Sequence, residues 1–459
     1  MKGLIASTVF GIVMMFAGLG SATKKSIGLL AVVLFAALTA IGVWDVVAAP
    51  TDAPVLMFNN MLRIENYSLW FNMLMTGCSL LYVILMHKDI AKVGSHSSEY
   101  FALIFFTLCG LYLLSTYNNL LMLFLGIEIL SIPQYILAGS DKQNLKSSEA
   151  ALKYFLMGSF STGVLLMGIA LLFGAAKSFY IMDMVSVLHT ESLNPMAMAG
   201  MVFIMIALSF KVSAAPMHMW TPDVYDGSPT PFTAYMATIA KAAAFFAFLR
   251  LFHVSFNNLS NHWTMLLACI TALTLLIGNL TAVFQQSVKR MLAYSSIAQA
   301  GFMLFAVLSV NAVAWQGIVI YAVAYSIATI GLFAILVKLK DYTYDGFNGL
   351  AKKEPVLAFA ASICIFSLAG IPLTGGFMAK YYVLVAVVQQ GQLMWLVIFA
   401  LLMAAVSIYY YFRVIIAMYF KAGNPELVAP ITLGDKVALL FTCALILLIG
   451  VAPQLFLNV

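Results

Sequence analysis

The segment ALSFKVSAAPMHMWTPDVYDGSPTP, residues 207–231, joins two long apolar runs and combines two features that are unusual inside a membrane-like sequence. Lys211 lies within the hydrophobic part, and Pro216 follows five residues later. An ammonium group is costly to bury in hydrocarbon, and a proline interrupts the helix that carries it. The segment therefore predicts a broken membrane helix with a buried charge beside the break.

The composition of the whole chain agrees with a membrane protein. Hydrophobic residues make up 63% of the 459 residues, charged residues make up 9%, and the mean hydropathy is +1.01. A soluble domain of this length cannot bury so much apolar surface. The apolar runs reach the roughly 20 residues that a spanning helix needs, and they lack the alternation of a membrane barrel. We therefore predict an all-α polytopic membrane protein.

Apolar runs separated by polar breaks give fourteen candidate spans, numbered in chain order. Their approximate limits are 3–20, 27–47, 67–87, 99–115, 119–138, 148–174, 197–220, 230–251, 263–284, 291–309, 314–338, 355–389, 393–420 and 436–455. The first run, in MKGLIASTVFGIVMMFAGLGSA (1–22), also has the layout of a signal peptide. We favour a first span, because the run approaches spanning length and a second span follows directly after TKKS.

Lysine and arginine in short loops predict the orientation, because they are retained on the cytoplasmic side. The odd-numbered loops hold most of the 23 basic residues: Lys24, Lys25, Lys88, Lys92, Lys142, Lys146, Lys289, Arg290, Lys338, Lys340, Lys352, Lys353, Lys421 and Lys436. The even-numbered loops and the termini hold Lys2, Arg63, Lys177 and Arg250. Both termini are therefore predicted to face away from the cytoplasm.

A few charged residues remain inside the predicted spans: the bases Lys153, Lys211, Lys241, Lys380 and Arg413, and the acid Glu128. Arg413 lies near the cytoplasmic end of its span, where a long side chain reaches the interface. Lys153 also lies near a cytoplasmic end, so an anchoring role and a functional role both stay open. Lys211, Lys241 and Lys380 lie too deep to act as anchors.

Three deep lysines need an explanation beyond packing. A lysine at the centre of a membrane helix costs about 2.5–3.5 kcal/mol, so three cost roughly 8–10 kcal/mol unless they are hydrated or paired. Glu128 and one lysine can form an ion pair that merely joins two helices, but one carboxylate cannot neutralise three ammonium groups. Burial lowers the pKa of a lysine and a nearby carboxylate raises it. A contact that forms and breaks would switch protonation, and lysines linked by water can pass protons.

Helix breaks accompany two of these lysines. Pro216 follows Lys211 in span 7, and a glycine- and proline-rich segment precedes Lys380 in span 12: Gly370, Pro372, Gly375 and Gly376. Membrane proteins tolerate broken helices where protein or a water-filled cavity satisfies the freed backbone. An ordinary kink explains one break, but two breaks beside two buried lysines favour an ion pathway.

The broken spans also indicate an internal repeat. Spans 4–8 (99–252) and spans 9–13 (263–420) are groups of five, and an odd number inverts the second group relative to the first. Spans 7 and 12, both discontinuous, then correspond. Residues 1–98 would add three N-terminal spans, and residues 421–459 would add the last one.

The sequence lacks the usual motifs of nucleotide and cofactor binding. It contains no P-loop, no dinucleotide-binding glycine motif and no clustered cysteine or histidine ligands. The five cysteines lie far apart, and the net charge of +6 is scattered over loops rather than gathered on one face. We therefore expect no metal, cofactor or redox centre in this chain and no nucleic-acid partner.

Three segments resemble the antiporter-like membrane subunits of respiratory complex I. They are SFKVSAAPMHMWTPDVYDGSPTPFTAYMATIAKAAAFFAFLR (209–250), VKRMLAYSSIAQAGF (288–302) and GIPLTGGFMAKYYVL (370–384). Within that family the chain is most similar to the N-type subunits of NADH-quinone oxidoreductase. The M-type has glutamate where this chain has Lys380, and the L-type has a long C-terminal extension.

The resemblance implies roles for individual residues. Glu128 and Lys211 would form a switchable ion pair, Lys241 would relay the proton, and Lys380 would exchange it with the outer side. Lys153 matches a further lysine of the family. One departure is Gln299, where many N-type sequences have histidine, so a relay there would need water or a neighbour such as Tyr294 or Ser296.

The resemblance further implies a redox-driven complex in a bacterial inner membrane, or less readily in an organellar membrane. Its other membrane-arm subunits would be partners, and FMN, iron–sulfur clusters and quinone are expected in partner subunits. The alternative is a subunit of a Mrp-type sodium/proton antiporter, against which the segment DVYDGSPTP (223–231) argues. A structural spacer that transmits conformational change without conducting protons also stays open.

Overall fold

Helices form almost the whole protein in the computed structural model, which describes residues 1–19, 23–48, 54–187 and 194–457. The N-terminal part contains α1 (Lys2–Ala17), α2 (Lys24–Val47), an antiparallel hairpin of β1 (Val55–Met57) and β2 (Leu62–Ile64), and α3 (Asn66–Val93). Residues 20–22, the end of the segment that resembles a signal peptide, lie outside the described residues. Within the fold α1 packs on α4, where Ser7 and Cys109 share a hydrogen bond of 2.8 Å.

The next part of the chain contains the first predicted repeat. Its helices are α4 (Ser97–Thr116), α5 (Leu120–Ala138), α6 (Leu145–Ala176), α7 (Ile181–Val187), α8 (Pro195–Lys211), α9 (Trp220–Gly227), α10 (Thr230–Tyr235) and α11 (Lys241–Val254). One π-helical turn, Met236–Ala240, joins α10 to α11 without a break. Lys241 is thus the first residue after a local widening of the helix, a feature that is frequent at functional sites.

The last part contains the second predicted repeat and the final span. Its helices are α12 (Ser260–Val283), α13 (Val288–Leu308), α14 (Ala312–Leu336), α15 (Leu350–Lys353), α16 (Pro355–Ala369), α17 (Gly375–Gln390), α18 (Met394–Phe420) and α19 (Leu433–Val451).

Within the described ranges, eleven helices are long and apolar enough to cross a membrane, and α1, α8 and α16 are shorter apolar helices. Each of them coincides with one predicted span, and span 12 consists of α16 followed by α17. The chain is therefore a helical, multi-pass membrane protein, as predicted. The number of fourteen crossings and the inverted repeat stay predictions.

The break in span 7 comes earlier than the predicted limit of 197–220. Helix α8 ends at Lys211, residues 212–219 form turns, and α9 then begins at Trp220. Ser213 has a positive φ of 65°, and Pro216 has no N–H to donate to a helix. The break therefore begins directly after the lysine.

Three helical segments form the centre of the protein: Thr230–Val254, α13 and α14. The most apolar stretch of each is 100%, 94% and 100% buried, respectively, by other parts of the chain. Polar side chains on these segments therefore face protein rather than lipid. Lys241, Gln299 and Tyr321 lie on the three segments in that order.

Close helix contacts recur in the two predicted repeats. A Cβ added at Gly110 on α4 would lie 2.6 Å from the backbone nitrogen of Leu130 on α5. A Cβ at Gly278 on α12 would lie equally close to the backbone nitrogen of Ala298 on α13. Glycine allows helices to approach this closely inside a membrane. The pairs α4–α5 and α12–α13 are the ones that the repeat would make equivalent.

Arg250, which the loop count placed on the outer side, is a buried anchor with a side chain only 1% exposed. Its guanidinium pairs with Glu65 at 2.9 Å and donates to further oxygens: Ser68 Oγ and the carbonyls of Arg63, Ser115 and Tyr117. The planar guanidinium can satisfy several acceptors at once, which a lysine cannot do. Arg250 thereby ties α11 to the hairpin, α3 and α4.

Replacing this anchor should destabilise the fold. We expect Arg250→Leu to cost about 3–5 kcal/mol, because it leaves several buried oxygens without their donor. The matched control is Arg63→Leu, since Arg63 also pairs with Glu65, at 2.7 Å, but its side chain is 26% exposed. Thermal unfolding of the purified protein in detergent compares the two. Equal unfolding temperatures would contradict the anchoring role.

Candidate functional site

The first part of the site is the broken end of α8, where Lys211 is the last helical residue. Its Nζ donates to Ser131 Oγ at 3.1 Å and to the Tyr135 hydroxyl at 3.3 Å, both on α5. The ammonium group also lies 5.9 Å from the centre of the Tyr135 ring. The carbonyl end of a helix is its negative end, so the position favours a cation.

Glu128, the expected partner of Lys211, lies one turn before Ser131 on α5. Its Oε1 accepts a hydrogen bond of 2.7 Å from Thr162 on α6. In the described part of the chain no ion pair joins Glu128 to Lys211 within 4.0 Å, so the expected contact is not formed in this structure. The Lys211 ammonium group instead contacts the hydroxyls of Ser131 and Tyr135. These residues follow Glu128 by three and seven positions, so they lie on the same face of α5 as the carboxylate.

Lys241 is the second member of the site and is 3% exposed. Its Nζ donates to Ser296 on α13, to Oγ at 3.1 Å and to the carbonyl oxygen at 3.2 Å, and it lies 5.6 Å from the centre of the Tyr225 ring. A cavity of about 20 Å³ touches both Lys211 and Lys241. That volume holds about one water molecule, and the polar lining suits one. The two lysines are thus separated by a space that water can bridge.

The polar residues around this cavity include another ordered pair. The Tyr154 hydroxyl on α6 donates to Gln134 Oε1 on α5 at 3.0 Å, and both side chains line the cavity. Tyr154 is held in place by stacking on Trp220, with ring centres 4.6 Å apart. Hydroxyl and amide groups therefore fill the gap between the first two lysines.

The second break lies between α16 and α17. Helix α16 ends at Ala369, Gly370 has a φ of 85°, and Pro372 lies in the connection. Gly375 and Gly376 do not lie in the break as predicted but open α17. A Cβ at Gly376 would overlap the carbonyl oxygen of Ser367, so glycine is needed for α17 to start this close to α16.

Lys380, 7% exposed, is the third lysine of the site. Its Nζ donates to the carbonyls of Leu368 at 3.1 Å and Ala369 at 2.8 Å, and it lies 4.8 Å from the centre of the Phe302 ring. The last carbonyls of a helix have no partner within the helix. The break thus frees the oxygens that hold the ammonium group.

Gln299 lies between Lys241 and Lys380. It is one turn after Ser296 on α13, and its Nε2 donates to the same Leu368 carbonyl as Lys380, at 2.9 Å. It also contacts two tyrosine hydroxyls, those of Tyr321 and Tyr411. Of the predicted relay residues, Ser296 and Gln299 belong to the site. Tyr294 is only partly buried against the apolar core and lies on another face of α13.

Lys153 lies apart from these lysines. Its side chain is 41% exposed and pairs with Glu149 at 2.8 Å and with Asp223 at 2.9 Å. Arg290 reaches the same Asp223 carboxylate at 3.2 Å. Partial burial raises the pKa of Asp223, but hydrogen bonds and charge from Lys153 and Arg290 outweigh burial and hold its pKa below the usual range. Lys153 thus belongs to a surface network beyond the break in span 7.

The sequence did not identify several polar residues that contact the lysines or Gln299: Ser131, Tyr135, Tyr225, Tyr321 and Tyr411. Each lies in or beside an apolar run, where residue type alone does not separate a lysine partner from an ordinary core residue. The available signal was the spacing of Ser131 and Tyr135, which share a face of α5 with Glu128.

The burial of three charged residues at the predicted cytoplasmic side was also missed. Asp89 pairs with Lys338 at 2.5 Å, and both are buried. Asp89 lies within α3, which extends beyond the predicted limit of residue 87. Lys289 donates to the carbonyls of Asp226 and Ser228 at 2.8 and 2.6 Å. Asp89 and Lys289 line an open depression of about 810 Å³. The deep lysines are therefore not the only buried cations of the described chain.

Comparisons with known proteins relate the chain to membrane subunits of ion-translocating complexes. Residues 117–407 match the family model described as "NADH:quinone oxidoreductase/Mrp antiporter, TM". Over 405 residues the chain is 41% identical to NADH-quinone oxidoreductase subunit N of Cytophaga hutchinsonii, with 87% of each chain covered.

Solved structures show the same fold. The chain is 30% identical to one in the structure of respiratory complex I from Thermus thermophilus with bound aureothin, with a TM-score of 0.84 over 99% of this chain and 98% of that one. A chain of the Mrp complex from Dietzia sp. is 19% identical, with a TM-score of 0.86 over 100% and 96% of the two chains. At that identity the likeness shows the fold alone.

The contact at Gly376 gives a test of the second break. We expect Gly376→Ala to push α17 away from Ser367, at a cost of about 1–3 kcal/mol, and to draw Lys380 off its two carbonyls. Proton movement across reconstituted vesicles should fall, while the helix content stays unchanged by circular dichroism. The matched control is Gly163→Ala on α6, where a Cβ meets nothing within 4 Å. Equal proton movement in both variants would contradict the need for this close approach.

Proposed function

Because the chain belongs to the NADH:quinone oxidoreductase/Mrp antiporter family of membrane proteins, we propose that it is the N-type proton-translocating subunit of a redox-driven NADH-quinone oxidoreductase. The identity of 41% to an N subunit over 87% of both chains supports this assignment. The chain would then act in the membrane arm of the complex and would move protons without taking part in electron transfer.

One observation carries the proposed activity: the contacts of the three deep lysines follow one another through the protein interior. Lys211 and Lys241 border the same small cavity. Lys241 contacts Ser296 on α13, and Gln299, one turn further on that helix, shares the Leu368 carbonyl with Lys380. A purely structural set of lysines has no need for such a continuous polar arrangement. A proton pathway requires it.

In the proposed mechanism, Lys211 moves between two sets of partners. Against Ser131 and Tyr135 it contacts only neutral oxygens, whereas a change of rotamer would bring it to the Glu128 carboxylate one turn away. Contact with the carboxylate stabilises the ammonium form, and separation favours release of the proton. The proton would pass through the small cavity to Lys241 and on to Lys380, which exchanges it with the outer side.

The chain would work together with other subunits of the same membrane complex. The energy would come from quinone reduction in partner subunits, which would also hold FMN and the iron–sulfur clusters. Neighbouring antiporter-like and small helical subunits would flank the chain in a bacterial inner membrane. The excess of lysine and arginine in the odd-numbered loops supports a location of both termini on the periplasmic side.

The alternative, a subunit of a Mrp-type sodium/proton antiporter, shares the family and the fold. The family model covers both classes, so it does not separate them. The sequence identities distinguish the two classes, since the chain is 41% identical to an N subunit and 19% identical to the chain of the Mrp complex. The redox-driven function is therefore the better supported one.

The first test concerns the Glu128–Lys211 pair. Positioned proton-transfer groups contribute roughly 10²–10⁴-fold to rates, so Lys211→Ala and Glu128→Ala should each lower NADH-driven proton transport at least about tenfold. The control is Lys153→Met, which removes a half-exposed lysine outside the pathway and should have little effect. Proton uptake by liposomes that contain the assembled complex measures the difference. Normal transport in assembled Lys211→Ala complexes would rule out the role given to the pair.

A second test separates charge from proton release at Lys380. Lys380→Arg keeps a cation that can donate to the Leu368 and Ala369 carbonyls, but a guanidinium does not release its proton. In Lys380→Glu the carboxyl group would face two carbonyl oxygens, to which only its protonated form can donate, so the acid would keep its proton. We expect both variants to assemble and to lose proton transport. Wild-type transport in Lys380→Arg would show that Lys380 is only a fixed charge.

A further inference from the structure

The position of Gln299 poses a problem for proton transfer between Lys241 and Lys380. The side chain is buried, only 4% exposed, and it is the group that connects the Ser296 side of α13 to the Leu368 carbonyl. An amide has no proton that it releases near neutral pH, so it cannot act as lysine or histidine does. Something beside Gln299 must carry the proton.

The orientation of the amide follows from its partners. The Leu368 carbonyl can only accept, so the group that contacts it must be the Nε2 donor. The oxygen of the amide therefore faces Tyr321, whose hydroxyl donates to it. The second Nε2 proton reaches the Tyr411 hydroxyl at 3.2 Å. Gln299 thus fixes the direction of hydrogen bonding at two tyrosines on two different helices, α14 and α18.

The hydroxyl of Tyr411 has a further partner. Because its oxygen accepts from Gln299, its own proton is free to point to Ser295 Oγ, with which it makes a short hydrogen bond. Ser295 is the chain neighbour of Ser296, the residue that holds Lys241. On the other side of Gln299, Tyr325 follows Tyr321 by one helical turn and faces Ser296. Hydroxyl groups of α13, α14 and α18 therefore lie around the amide, which shares the Leu368 carbonyl with Lys380.

We propose that the hydroxyls of Tyr321, Tyr325, Tyr411 and Ser295 form a bypass that carries the proton past Gln299, with Gln299 as the positioning residue that orients them. This proposal rests on the proposed function. An N–H bond of the Lys241 ammonium breaks as an O–H bond forms on a hydroxyl or an intervening water. Each hydroxyl oxygen accepts the incoming proton and passes on its own after rotating away from its resting partner, and an N–H bond finally forms on neutral Lys380 by way of an intervening water. Every hydroxyl ends with the proton count with which it began.

The gap between the first two lysines contains a related arrangement. There the Tyr154 hydroxyl on α6 donates to the Gln134 amide oxygen on α5, as Tyr321 on α14 donates to Gln299 on α13. These helices correspond in the predicted inverted repeat, as span 6 with span 11 and span 5 with span 10. A tyrosine hydroxyl directed by a glutamine thus occurs once between each successive pair of lysines.

The test compares the removal of a hydroxyl from tyrosines that contact Gln299 with the same change at a tyrosine elsewhere in the core. The variants are Tyr321→Phe, Tyr411→Phe and their combination. The matched control is Tyr82→Phe on α3, because Tyr82 is equally buried but gives its hydroxyl to the Pro231 carbonyl at 3.1 Å, away from Gln299. NADH-driven proton uptake is measured in liposomes containing the whole complex, and electron transfer to a soluble artificial acceptor measures the amount of assembled complex.

We expect the double variant to transport protons at least about tenfold more slowly, because positioned proton-transfer groups contribute roughly 10²–10⁴-fold, and we expect Tyr82→Phe to match the wild type. Adding Gln299→His to the double variant should restore most of the transport, because imidazole carries the proton itself. A purely structural role of the hydroxyls would not be rescued in this way.

The outcomes separate the bypass from the function on which it rests. Wild-type transport in the double variant, or no rescue by Gln299→His, would overturn the bypass. A third variant, Lys380→Met, reports on the function itself: if it abolishes transport while the double variant is normal, only the bypass is wrong. If Lys380→Met also transports normally, both the bypass and the proposed function are wrong.

Discussion

An ammonium group inside a membrane-spanning protein must find acceptors, and the arrangement of this protein follows from that requirement. Lys211 donates to two hydroxyls, Lys241 donates to Ser296, and Lys380 donates to two carbonyls. In the parts of the chain that the structure describes, none of the three has a carboxylate within ion-pair distance. Neutral oxygens hold a cation less tightly than a carboxylate does. Such contacts suit groups that must both hold and release a proton.

The two helix breaks supply much of what the lysines need. Lys211 is the last residue of α8, and the Lys380 ammonium group contacts the last carbonyls of α16, so both cations lie at the negative end of an interrupted helix. An unbroken span would use those carbonyls in its own hydrogen bonds. Pro216 and Gly370 therefore do more than bend the chain. The breaks leave helix carbonyls free and so stabilise the two ammonium groups, at two places that the predicted repeat relates to each other.

Much of this arrangement could be predicted from the sequence, because charges and helix breakers are rare in apolar runs. The spans, the three deep lysines and both breaks follow from residue type and spacing alone. The contact of Lys211 with Ser131 could not be predicted, because it depends on a rotamer and on the packing of α8 against α5. Arg250 was misplaced, since residue type does not distinguish a loop cation from a buried one. Tyr321 and Tyr411 gave no signal among 21 tyrosines, because only the packed helices bring them to Gln299.

If protons pass along the three deep lysines of this chain, the replacement of Lys241 must affect their transport, because Lys241 lies between the other two. The measurement is the number of protons transported per NADH oxidised by liposomes that contain the assembled complex with Lys241→Met. Methionine keeps the length of the side chain but removes the titratable group. We expect a lower ratio, or a loss of coupled turnover, compared with the wild type. An unchanged ratio at an unchanged turnover would contradict it.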